Sequence, residues 1–160
     1  MVSDNSLLQL CMLLQFKSSA DAFLRKLESV SGEIYTSSFS FAGSVSHLFS
    51  PSEVEWLLDS FNGLGLQEQD KVAVQAFFEA VSRYIAETPV CVCTFAVQPR
   101  VPFYSAFFAS LREYTGSERL LMDVRIDPTL VGGAIFVYQG RRFDFSLRKD
   151  FLHFIAERKV

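Results

Sequence analysis
The sequence predicts an α+β protein of two domains: a helical bundle over residues 1–87, then a small α/β domain over 88–160 in the order β-α-β-β-β-α. Three observations carry this. Through most of the first half, apolar residues recur at three- and four-residue spacing, the period of a buried helix face. In the second half, short β-branched and aromatic runs flank one helical stretch and end at turn glycines. Between the halves, Thr88–Pro89 interrupts the pattern, because proline disfavours helical backbone at the residue before it.

Taken in order, Ala20, Phe23, Leu24 and Leu27 mark a helix that fades near Ser31–Gly32. The serine-rich stretch "TSSFSFAGSVS" at 36–46 has no clear period and is expected to be a loop or a poorly formed turn. "SPSE" at 50–53 is the clearest helix start, with Ser50 as cap, Pro51 at the first helical position and Glu53 closing a capping box. Val54, Leu57, Leu58 and Phe61 follow on one face, and Asn62–Gly63 ends the helix. A further helix from Gln69 to Ala86 carries Ala73, Ala76, Phe77, Ala80, Val81 and Tyr84 as a stripe, widened by Val74, Phe78 and Ile85. The first half thus holds four or so helices.

"VCVCTFAV" at 90–97 reads as a buried strand. Residues 103–114 return to helix, with Phe103, Phe107, Leu111 and Tyr114 along one side and Gly116 as the break. Leu120, Met122, Val124 and Ile126 then alternate with Leu121, Asp123, Arg125 and Asp127, the pattern of a half-buried strand. A strand–helix–strand order implies a parallel pair. "AIFVY" and "RRFDF" flank Gln139–Gly140 and predict a hairpin. Ser146 or Asp144 opens a final helix that buries Phe151, Leu152 and Ile155.

Composition excludes several function classes. A net charge of −3 and a pI near 5.4 argue against a general nucleic-acid binder, which needs clustered positive charge. The one basic cluster, Arg141, Arg142, Arg148 and Lys149, is interrupted by Asp144 and Asp150. Cys11, Cys91 and Cys93 make no disulfide framework and read as buried thiols of a reducing compartment. The apolar stretch from Leu7 to Phe16 is too short to span a bilayer and lacks a basic flank. Seventeen phenylalanines supply ample core material and are the odd feature of so small a chain, which points some of them to an interface between domains or with a partner.

Candidate chemistry is sparse. Gly132–Gly133 lacks the spacing of a dinucleotide or Walker loop and leads into a strand, so it reads as a kink or a close approach of two backbones. Asp123, Asp127 and Asp144 are possible acid–base groups. Asp127 before Pro128 reads first as a turn residue, and Asp144 as a cap or a partner of Arg148. His47 stands alone, and His153 with Glu157 lacks the rest of a metal shell. No cofactor is expected.

"DPTLVGG" at 127–133, the hairpin, and "DFSLRKDF" at 144–151 together resemble the carboxyl-terminal signature of the F-type ATP synthase delta subunit family, which includes the mitochondrial oligomycin-sensitivity-conferring protein. Asp127, Pro128, Leu130, Gly132 and Gly133 match its Asp-Pro-Ser-Leu-Ile-Gly-Gly run, and Asp144, Ser146 and Arg148 match its Asp-x-Ser-x-Arg element. The resemblance covers about residues 88–155. The amino half is shorter than the family's six-helix domain, and "SLLQLCMLLQF" shares only apolar character with that domain's opening helix. The resemblance implies a non-catalytic stator subunit, peripheral to an energy-transducing membrane and touching it only through its complex. Its helical domain would hold amino-terminal helices of the head's alpha subunits, and its carboxyl domain would join b-type stalk subunits. Phe23, Phe61, Phe77 and Phe78 are candidates to line the groove for a partner helix. Two alternatives are the E subunit of a vacuolar or archaeal-type ATPase, and a small ligand-binding or enzymatic protein that uses the Gly132–Gly133 turn.

Overall fold
The computed structural model describes residues 3–147. The chain divides into two compact units, one ending at Thr88 and the other beginning at Pro89. An amino-terminal helical bundle is followed by a mixed β/α unit.

The bundle comprises α1 (Asp4–Leu14), α2 (Lys17–Glu33), α3 (Phe41–Leu48), α4 (Pro51–Gly63) and α5 (Lys71–Ala86). Side chains satisfy the first free N–H groups of several helices. Ser3 accepts from the Ser6 N–H at 3.2 Å, and Asp70 accepts from the Ala73 N–H at 3.0 Å. At α4 the Glu53 carboxylate reaches back to the Ser50 N–H at 2.7 Å, completing the expected capping box.

The serine-rich stretch departs from expectation. Residues 41–48 form α3, which is capped by Ser40 and buries Phe41 and Val45 one turn apart. Serines hide the period, but these two side chains suffice to anchor a short helix. Phe41 stacks on Phe61 with centroids 4.0 Å apart and lies 5.8 Å from Phe78. Phe77 meets Phe61 edge-on at 6.0 Å, and Phe23 meets Phe49 edge-on at 5.1 Å. On α5 the buried stripe is Val74, Phe77, Phe78, Val81 and Ile85, whereas Ala76 of the expected stripe is exposed. The larger side chains turn inward because they remove more apolar surface from water.

The second unit contains β1 (Val90–Phe95), α6 (Val101–Thr115), β2 (Leu121–Ile126), β3 (Ala134–Tyr138) and β4 (Arg141–Asp144). These strands form a sheet in the order β2-β1-β3-β4. β1 runs parallel to β2 and antiparallel to β3, with Cys93 beside both Val124 and Phe136. Along β1, Cys91, Cys93 and Phe95 are buried on one face and the intervening residues are half-buried. The hairpin turn has positive φ at both Gln139 (48°) and Gly140 (77°), the two-residue geometry that suits strand twist.

Two faces differ from the periodic reading. α6 buries Tyr104, Phe108 and Leu111, leaving Phe103 and Tyr114 exposed. The helix is rotated so that Phe95 is surrounded by Phe103, Tyr104 and Phe107 rather than by one row. On β2, burial falls from Leu121 and Met122 to an exposed Ile126 instead of alternating, since β2 is an edge strand. The expected final helix around Phe151, Leu152 and Ile155 lies outside the described residues.

Phe41→Ala is expected to destabilise the helical unit by about 3–5 kcal/mol in urea unfolding, because it opens a void among the rings of Phe61, Phe77 and Phe78. Glu53 offers a pH test. Burial alone pushes its carboxyl up, but the Lys26 ammonium at 2.8 Å and the Ser50 donor outweigh this and hold it below its ordinary value. Such a group adds stability above its unfolded-state pKa, and the gain is lost as pH falls through the folded one. Glu53→Gln should therefore lower the melting temperature at neutral pH and flatten the further loss below about pH 4.5, read by circular dichroism.

Candidate functional site
The 127–133 turn and the segment after β4 meet. At the end of β2 the Asp127 N–H donates to the Phe95 carbonyl at 2.9 Å, which ties the turn to β1. Asp127 Oδ1 then accepts the Thr129 N–H at 2.9 Å and the Thr129 hydroxyl at 2.6 Å. The Leu130 N–H closes the turn on the Asp127 carbonyl at 3.1 Å, and the Leu130 side chain is buried while Pro128 stays exposed.

The same device recurs seventeen residues on. Asp144 Oδ1 accepts the Ser146 N–H at 3.0 Å and its hydroxyl at 2.6 Å. The Ser146 hydroxyl and N–H, with Arg142 at 3.2 Å, hold the Asp144 carboxyl below its ordinary value. Asp144 therefore pairs with Arg142 among the described residues. Arg148 lies outside them.

Gly133 joins the two turns. It sits at φ 76°, and a Cβ there would lie 2.1 Å from the Phe145 carbonyl oxygen. Backbone bonds lace this contact: Phe145 N–H to Ala134 O at 2.9 Å, Leu147 N–H to Gly132 O at 3.1 Å, and Ala96 N–H to Gly133 O at 3.4 Å. Asp127, Leu130, Gly132, Gly133, Asp144 and Ser146 are thus parts of one assembly. The glycine is required by the chain's own backbone, because the Phe145 carbonyl fills the space that a side chain at position 133 would need. Beside the turn, Phe95, Val97, Pro99, Phe103, Leu130 and Val131 line an apolar recess of about 450 Å³.

The helical unit carries a second surface feature. Phe23, Phe61, Phe77 and Phe78 are all buried at 4% exposure or less, so they form the core and do not line an open groove. That expectation is corrected. The rings are consumed by the packing of α2, α4 and α5 around α3. A groove of about 660 Å³ instead lies between α1 and α4, with Leu13, Trp56 and Leu64 as its apolar lining and Glu55 and Asp59 on it. Trp56 Nε1 donates to the Ser6 carbonyl at 2.7 Å, and the Ser6 and Ser60 hydroxyls share a 2.8 Å bond. These contacts fix the two helices that form the groove. Its sequence signal is faint: exposed Met12 and Leu13 leave α1 apolar beyond its buried face.

Cys91 and Cys93 are buried free thiols with sulfurs 3.8 Å apart. The hydrogen bond to Cys91, with burial, pushes the Cys93 thiol far up. His47 is exposed on α3, and His153 lies outside the described residues. Among the described residues no group of three or more His, Cys, Asp or Glu is placed to hold a metal, and no helix is long and apolar enough to cross a membrane. No protein-family model matches the chain, and a search of curated proteins finds no relative.

Gly133→Ala is expected to cost about 2–4 kcal/mol, from positive-φ strain plus a backbone collision. Gly140→Ala, at φ 77° but in open space, should cost only about 1–2 kcal/mol. Thermal melts of the two variants separate collision from strain.

Proposed function
We propose that this chain is a non-catalytic peripheral-stalk subunit of a proton-translocating F-type ATP synthase, of the delta or oligomycin-sensitivity-conferring kind. The observation that carries the reading is the junction at Gly133. The two sequence elements that resemble the family signature, 127–133 and 144–148, meet through their described residues as one hydrogen-bonded assembly rather than as two unrelated turns. The order of a helical bundle followed by a mixed unit supports it as well.

In this role the chain works mechanically. The helical unit holds amino-terminal helices of the alpha subunits, and the mixed unit joins b-type stalk helices, so the head does not turn with the rotor. The groove between α1 and α4 suits the first task. Its lining sets Leu13 and Leu64 among serines, Gln9 and the carboxylates of Glu55 and Asp59, which favours a partner helix that brings basic and polar residues along with a few apolar ones. Contact with the membrane is indirect, through the complex.

The test is native mass spectrometry on catalytic heads stripped of peripheral subunits. One copy should rebind per head, and trimming the alpha subunits' amino-terminal helices should abolish binding. The double variant Glu55→Lys/Asp59→Lys should weaken binding about tenfold or more, equivalent to about 1.4 kcal/mol, while keeping the wild-type melting temperature. Wild-type chain that fails to bind either the head or the stalk helices would overturn the assignment.

A further inference from the structure
We draw no further inference here: the strongest candidate, the apolar recess at the carboxyl end of β1 between Val97, Phe103 and the 128–133 turn, is an unpartnered apolar surface, and nothing in the structure shows what covers it.

Discussion
The carbonyl oxygen of Phe145 occupies the place where any side chain at position 133 would begin. Much of the mixed unit follows from that contact. For the two backbones to come this close, the chain must leave β2 through a tight turn, which the Asp127 carboxylate holds by accepting two bonds from Thr129. It must also leave β4 through a second turn, which Asp144 and Ser146 supply in the same way. β3 then runs antiparallel to β1 from Ala134 onward, and the hairpin returns β4 alongside it. The aspartates are therefore builders of backbone. Each commits its Oδ1 to the turn that follows it, which is how a sequence with conspicuous Asp-x-Thr and Asp-x-Ser elements braces this junction.

The stator role proposed for this chain would require a junction that resists stretching. A load borne across hydrogen-bonded strands and interlocked turns is spread over many backbone bonds, whereas a flexible loop would stretch. The helical unit solves a different problem with aromatic packing. Phe41 enters among the rings of Phe61, Phe77 and Phe78, and the Glu53–Lys26 pair fastens the start of α4 to α2. The outer sides of α1 and α4 are left to form the groove.

What was legible in the sequence was local. The Ser50–Glu53 capping box and the Gln139–Gly140 turn depend on residues within three positions of each other, and both appear as read. The close approach of backbones was also legible at Gly132–Gly133, since a double glycine entering a strand has few other uses. Features decided by distant partners were not. α3 shows no period because its burial rests on two side chains that find their partners in α4 and α5. Phe23, Phe61, Phe77 and Phe78 looked available for an interface, but how many rings a core absorbs depends on how the helices pack. The α1–α4 groove depends on Trp56 reaching Ser6, a contact across fifty residues that periodicity does not encode. The faces of α6 and β2 were misjudged for a related reason: the sheet order, with β2 at an edge, determines which side meets neighbours.

The most direct measurement is proton-driven ATP synthesis in membrane vesicles depleted of peripheral-stalk subunits and supplied with this chain. The account predicts that adding it restores synthesis driven by a proton gradient, while ATP hydrolysis by the isolated head keeps its rate. Synthesis that stays at the depleted level, with a folded chain present in excess over the heads, would contradict it.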